Sequence, residues 1–370
     1  MSSKLRVGVV GTGVIGQVMH LHFLRELKDR YEIAAICDLS VTSGQACAEE
    51  YRVTQVFTDW RDMIETVPLD AIFILTSGSH APLAIEAARA GLHIFTEKPM
   101  CFSVREGLEM NRAAKDAGVV LMVGYPKRYD PAFGRFVEVV STLRDQKLLR
   151  ITTTESPFLP YVRHYPLIAP ARDVDAELLA SLATDSEQRL EAAIGTNDSF
   201  LVRQYQAVLL DTLVHEVNTA RAVLGEPTSL NYVDLREGHA TVILDFNGPT
   251  AAIHWLETPE MTRYSMEFSM HAANGRATLT FPSPYLRNAP TSLVVERGEA
   301  DGVDTWQREE TISYESGFKE ELRAFYEAVT SGAKVATDAQ DATRDIALCQ
   351  AIIRCALERA PIAFPTDLGE

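Results

Sequence analysis

The sequence predicts a doubly wound α/β domain followed by an α+β domain with a large, mostly antiparallel sheet. Three observations carry this. Through the first 125 residues, apolar strand-like runs alternate with amphipathic helical stretches. After about residue 145, period-two and β-rich segments take over, split by turn residues such as Asn247-Gly248-Pro249 and Asn274-Gly275. At 370 residues the chain also exceeds what a single core usually fills. The expected division is residues 1–125 and residues 126–370, with 157–204 standing apart and the last helices packing back towards the first domain.

Strand candidates in the first region are Leu5–Val10, Glu32–Cys37, Ala71–Leu75, His93–Thr96 and Val119–Val123. The run Ala71-Ile72-Phe73-Ile74-Leu75 is apolar throughout, as suits a parallel strand covered by helices on both faces. Helical patterns fall at 14–29, 41–51, 59–66, 81–90 and 104–117, the last opened by Ser103 and Glu106 at capping-box spacing. In the second region, strands are predicted over Arg150–Glu155, Leu230–Leu235, Ala240–Phe246, Ala251–Leu256, Ser265–Met270, Arg276–Phe281 and Ser292–Glu296. A helix over 203–224 precedes most of them and stops at Gly225. Helices near 318–331 and 338–359 close the chain, the latter entered through Thr337 and Gln340 at capping-box spacing. Residues 157–204 fit neither pattern: prolines come early, then a polar helical stretch that Thr184 and Glu187 would cap. A connection this long is commonly a functional lid or a flexible excursion.

Charge and composition narrow the classes. A formal net charge of −16 argues against a general affinity for nucleic acid or anionic membranes. No apolar run approaches the ~20 residues that span a bilayer. Met1-Ser2-Ser3-Lys4, followed by a strand broken by glycines, does not follow the plan of a secretory signal. The five cysteines (Cys37, Cys47, Cys101, Cys349, Cys355) are scattered, and none is in C-x-x-C spacing. They suit reduced, mostly buried thiols better than a disulfide frame or a zinc site. A cytoplasmic protein is expected, with no nucleic-acid or membrane partner.

Gly11-Thr12-Gly13-Val14-Ile15-Gly16 reads G-x-G-x-x-G between the first strand and the first helix. Gly11 permits a tight turn, Gly13 lets the backbone approach a pyrophosphate, and Gly16 allows close helix–strand packing. The helix N-terminus offers N–H groups to the phosphates. Asp38 ends the next strand about twenty residues on, where a carboxylate accepts the adenosine ribose hydroxyls and repels a 2′-phosphate. Leu39-Ser40-Val41 follows with no arginine. The first domain therefore reads as a Rossmann dinucleotide-binding domain, with NAD favoured over NADP.

Further motifs carry a resemblance. Phe95-Thr96-Glu97-Lys98-Pro99 places Glu-Lys-Pro at the end of a strand of that domain, and Gly124-Tyr125-Pro126-Lys127-Arg128-Tyr129-Asp130-Pro131 looks like G-[FY]-x-x-R-[FY]-[DN]-P. Asp211-Thr212-Leu213-Val214-His215 is a D-x-x-x-H segment on the helix that ends at Leu224-Gly225. Together these resemble the glucose–fructose oxidoreductase/inositol dehydrogenase (Gfo/Idh/MocA) family over nearly the whole chain except 157–204. The resemblance implies Lys98 as general base in oxidation or general acid in reduction, with Asp211 and His215 on substrate hydroxyls. It implies further cofactor contacts from Thr76, Ser77, His80, Glu97, Lys98 and Arg128, and substrate contacts from Lys98, Tyr125, Arg128, Arg163, His164, Tyr165, Asp211 and His215. It also implies a homodimer or homotetramer joined through the second domain's sheet.

Elementary chemistry agrees with those roles. Hydride transfer from a carbinol carbon to NAD must be accompanied by loss of the hydroxyl proton. A lysine serves as that base once burial or a neighbouring cation lowers its ordinary value of about 10.4. Asp211 and His215, spaced i, i+4, share a helix face. His215-Glu216-Val217-Asn218-Thr219 breaks the H-E-x-x-H pattern, so no metal is expected. Two departures from the family pattern bear on the pocket: Gln204-Tyr205-Gln206-Ala207 replaces small residues, and Asn218 stands where Asp is common. Arg163, with Arg128, Arg172 or Arg203, would suit an anionic substrate group. The leading expectation is an NAD-dependent dehydrogenase acting on a ring hydroxyl of a sugar, polyol or glycoside. The alternative is a redox-assisted glycosidase that oxidises, eliminates, hydrates and re-reduces on the same NAD.

Overall fold

The computed structural model describes residues 4–169, 171–300 and 302–365. Packing divides the chain into two units. The first gathers the residues up to Tyr125 with Arg163–Val202 and Phe318–Ala347; the second holds Pro126–Val162, Arg203–Gly317 and the chain from Leu348.

The first unit is built on six strands: β1 (Leu5–Val10), β2 (Tyr31–Cys37), β3 (Val56–Phe57), β4 (Ala71–Ile74), β5 (His93–Glu97) and β6 (Leu121–Gly124). They pair in the order β3-β2-β1-β4-β5-β6, every pair parallel, so all carboxyl ends share one edge. The winding reverses between β1 and β4, the switch point where such sheets open a ligand crevice. All four residues of β4 are buried, as its unbroken apolar run requires. Two-residue β3 was not foreseen, because it is too short to show a period.

Helix caps follow the short polar side chains. The Ser40 hydroxyl accepts from Ser43 N, and the Asp59 carboxylate accepts from Arg61 N. Ser103 accepts from Glu106 N at 3.3 Å as expected, while the Glu106 carboxylate takes Phe102 N at 2.7 Å. Two expected caps are corrected. The helix in the long connection runs Ala176–Ile194 and opens on Asp175, which accepts from Glu177 N; Thr184 lies inside it and donates to Ala180 O. Asp338, not Thr337, accepts at the start of the helix Ala339–Glu358, through Asp341 N, while Thr337 donates to Val123 O. In both cases a carboxylate nearer the first turn is the better acceptor.

The helix Gly317–Ser331 brings distant sequence onto the parallel sheet through aromatic contacts. Phe325 meets Phe73 and Phe95 edge-on at 5.6 and 5.8 Å, and those two rings stack at 5.0 Å. Tyr31 sits edge-on to Phe73 and donates its hydroxyl to Leu322 O. Such pairs add about 0.5–1.5 kcal/mol each beyond area burial.

The second unit carries β7 (Gln146–Glu155), β8 (Ser229–Arg236), β9 (His239–Asp245), β10 (Thr250–Glu257), β11 (Ser265–Ala272), β12 (Gly275–Phe281), β13 (Ser292–Gly298), β14 (Thr305–Thr311) and β15 (Ile362–Ala363). They form one sheet, β14-β13-β12-β11-β7-β10-β9-β8-β15, antiparallel except for β7 against β10. β9 alternates half-exposed and buried residues along its whole length, so one face is covered and the other open. β14 was not foreseen; it is an edge strand with almost every residue exposed, and it lacks the apolar alternation that marks a strand. The helix expected over 203–224 is π-helical over Gln204–Leu213, then α-helical over Val214–Leu224, and stops at Gly225 with φ +85°. Among the described residues, no helix is long and apolar enough to cross a membrane.

Phe325 is fully buried. Phe325→Ala should therefore cost roughly 3–5 kcal/mol in urea unfolding. A loss below about 1 kcal/mol would show that this helix is not part of the first unit's core.

Candidate active site

The glycine-rich turn leaves β1 at the carboxyl edge. Gly11 has φ +97°, and a Cβ there would lie 2.8 Å from the Leu75 carbonyl carbon, so conformation and space both demand glycine. Gly13 is exposed, with no atom within 4 Å of where its Cβ would stand. This opening is the approach a pyrophosphate needs. Val14 and Ile15 are half-buried beside it, and a Cβ on Gly16 would meet Gly11 O at 3.2 Å. The chain then enters its helix through a π-helical stretch, Gly16–His20.

Asp38, half-buried at the end of β2, accepts from Thr12 N at 2.8 Å and Thr12 Oγ1 at 2.6 Å on one oxygen. Its other oxygen accepts from Ser40 N at 2.9 Å. A carboxylate has about four acceptor sites, so capacity remains for a ribose hydroxyl. The open glycine cradle, the helix N-terminus and this carboxylate fit a dinucleotide.

Thr76 and Ser77 are exposed just past β4 on the same edge. His80, by contrast, is 1% exposed and acts behind them. Burial pushes its imidazole down, against the hydrogen bonds to the Thr76 and Glu97 carbonyls. Its Nε2 lies 2.8 Å from Thr76 O, and its Nδ1 lies 2.9 Å from Glu97 O and 2.7 Å from the Thr96 hydroxyl. His80 thus ties the loop after β4 to the end of β5.

Lys98, the first residue past β5, is half-buried. Glu97 beside it is turned inwards, accepting from Lys98 N at 3.0 Å and from His20 Nε2 at 2.6 Å. Burial alone would raise the Glu97 carboxyl; the His20 hydrogen bond and charge and the Lys98 charge outweigh it and hold the carboxyl below its ordinary value. Glu321 completes a fully buried group with His20 and Glu97, their polar atoms within 4.8 Å of one another. The expectation of no metal rested on spacing along the chain and did not see this group, because its members come from three distant elements.

Of the remaining first-unit candidates, Tyr125 is buried to 1% exposure. Arg163, His164 and Arg172 are exposed; Tyr165 is half-buried, its ring 4.1 Å from that of His164.

The second unit carries the other group. Arg128 donates to Asn218 Oδ1 at 3.1 Å. Asn218 therefore supplies the acceptor oxygen that an Asp would, without the charge. Asp211 is exposed near the end of the π-helical stretch, and His215 is half-buried on the α-helical turn that follows. π-helical insertions concentrate at functional positions, and among the described residues they lie at Gly16–His20, after the glycine-rich turn, and at Gln204–Leu213, which holds Asp211. Arg203 is exposed, 3.8 Å from Glu237. Glu216, next to His215, is fully buried and donated to by the Thr153 hydroxyl. Burial pushes it up to about 7 despite that bond and the charge of Lys127. Sequence reasoning passed over it, since a Glu inside a helix normally faces water.

The fold and the glycine cradle define a NAD-binding Rossmann protein. Residues 5–125 match the Gfo/Idh/MocA profile, described as an oxidoreductase family with an NAD-binding Rossmann fold. Over this domain the chain is similar to the Gfo/Idh/MocA oxidoreductase family. It is 33% identical over 168 residues to the uncharacterized oxidoreductase YrbE of Bacillus subtilis, covering 44% of this chain and 49% of that one. It is 31% identical over 164 residues to myo-inositol 2-dehydrogenase of Thermotoga maritima, covering 43% and 48%. The chain thus matches about half the length of these curated relatives. Its fold is similar across 98% of the chain to all of levoglucosan dehydrogenase in complex with NADH and levoglucosan, with a TM-score of 0.75 and 19% identity.

Glu216 sets a pH dependence. A raised carboxyl binds its proton more tightly folded than unfolded, so its contribution is complete below its ordinary 4.5 and is lost as pH rises through about 7. Glu216→Gln should flatten the fall in stability between those values, seen as urea midpoints at several pH values. An unchanged slope would remove Glu216 as its source.

Proposed function

We propose that this chain is an NAD-dependent oxidoreductase that oxidises a ring hydroxyl of a sugar, polyol or glycoside. The observation that carries the reading is the placement of Lys98. It stands just past β5, on the same carboxyl edge as open Gly13 and Asp38, held by an inward-facing Glu97. When bound, NAD takes up the hydride. The chain must then accept the hydroxyl proton, and we assign that to Lys98 Nζ, with reprotonation by the same group in reduction.

The glycine turn over 11–16, Asp38, Thr76 and Ser77 would hold the dinucleotide, with His80 and Glu97 shaping the loops behind it. Asp211 and His215 are assigned to substrate hydroxyls. Arg128, Arg163, His164 and Tyr165 are assigned to the rest of the substrate. The names of the relatives, an inositol dehydrogenase and a levoglucosan dehydrogenase, support a polyol or sugar substrate. The half-open face of the nine-stranded sheet supports a homodimer or homotetramer built on it. Buried free thiols and the acidic charge accord with a cytoplasmic setting.

The test is a parallel assay with NAD⁺ against free sugars, polyols and chromogenic glycosides. NADH should rise in proportion to one substrate class. Aglycone release over many turnovers without NADH would replace this reading with redox-assisted glycoside cleavage. Lys98→Ala should lower kcat about 10²–10⁴-fold while NAD still binds. Unchanged turnover would take Lys98 out of the chemistry.

A further inference from the structure

The connection Arg163–Val202 packs with the first unit and touches, in turn, loops at the carboxyl ends of its parallel strands. Past β1, Gln17 accepts from Ile168 N at 2.8 Å, and its amide donates to Ile168 O at 3.2 Å and Thr12 O at 2.8 Å. Past β2, Ala171 N donates to Ser43 Oγ at 3.3 Å, and Asp173 accepts from Thr42 N at 2.8 Å. Past β4, the Ser186 hydroxyl lies 3.8 Å from where a Cβ on Gly78 would stand. Past β5, Arg189 donates to Glu106 and lies 5.6 Å from the Phe102 ring centre. The same Glu106 carboxylate accepts from Phe102 N and Ser79 Oγ, so one group joins two loops to the connection. The connection therefore crosses the switch point between β1 and β4 from end to end, over the crevice where a dinucleotide lies.

What holds it there is polar. Of the 19 residues of the helix Ala176–Ile194, Leu190 is the fully buried one, while Leu178, Leu179 and Leu182 are 42–48% exposed. Hydrogen bonds of this kind each contribute modestly, more when charged. A segment so attached opens locally at far lower cost than the core.

We propose that residues of this connection form a strap that closes over bound NAD and retains it between turnovers, with Asp173 as the latch at the adenosine end. The latch also discriminates between cofactors. A 2′-phosphate would arrive beside Asp38, and the donors there belong to the helix Val41–Tyr51, whose N-terminus is a natural anion site. Asp173 already occupies one of them, Thr42 N, and takes a hydrogen bond from the Ser40 side chain. An internal carboxylate thus stands where the phosphate would bind and repels it. The strap rests on NAD binding by the first unit, and its tested residues, Asp173 and Arg189, are not among those assigned to the substrate above.

Stopped-flow fluorescence of NADH displaced by excess NAD⁺, with no substrate present, tests the proposal. Release should be about tenfold faster in both Asp173→Ala and Arg189→Ala, the effect of one lost charged hydrogen bond on an opening equilibrium. NADPH affinity relative to NADH should rise about tenfold in Asp173→Asn, which keeps the shape and loses the charge. On the unaltered protein, hydrogen exchange over 174–194 should slow when NAD is added, a readout that needs no variant to fold. Release rates unchanged in both variants, or exchange in this helix indifferent to NAD, would overturn the strap. Failure of NADH to bind at all would overturn the cofactor reading with it.

Discussion

A hydrogen bond of 2.6 Å between His20 and Glu97, closed off from water, ties the segment after the glycine-rich turn to the end of β5. His20 ends the π-helical stretch that follows the glycine-rich turn, and Glu97 is the last residue of β5. The bond therefore joins the element that offers its N-terminus to a pyrophosphate with the one that delivers Lys98. His20 is also packed edge-on between Phe95 and Phe318, at 5.3 and 5.6 Å. Buried from water, either group left without its partner would bear a heavy desolvation penalty. Glu97 also accepts from Lys98 N, which ties the Lys98 backbone to the pair.

The same logic of internal partners recurs elsewhere. Glu106 collects donors from the loops past β4 and β5 and from Arg189 on the long connection. Arg128 keeps an oxygen acceptor although Asn218 brings no negative charge. Asp38 spends its carboxylate on Thr12 and Ser40 and keeps one lone pair for a ligand. For Glu106 and Asp38, one carboxylate with several acceptor sites ties neighbouring loop segments together.

Much of the fold was legible in the chain because its signals are local. A fully apolar β4, a glycine turn with one obligatory positive φ, and alternation along β9 each follow from neighbours a few residues apart. Elements without such a signal were missed. β3 is too short to show a period, and β14 lies at an exposed edge with no apolar face. The helix Ala176–Ile194 showed its polarity but not its start, since Asp175 lies well before the residues that mimic a cap. Of the candidate site, Lys98, Asp38 and the glycines stood out by motif. His20, Glu321, Gln17 and Glu216 did not, for their roles depend on partners far away in sequence.

The sequence by itself determined the class of fold, the dinucleotide turn and the strand-end position of Lys98, because glycine conformation, strand periodicity and strand-end placement act over short range. Only the tertiary structure decided which carboxylates face inwards, that His80 braces a loop instead of standing exposed beside Thr76 and Ser77, and that Ile168, Ala171, Asp173 and Arg189 meet segments past the carboxyl ends of the parallel strands. Those outcomes depend on burial and on long-range hydrogen bonds, and a buried polar group takes whichever partner the folded chain brings within reach.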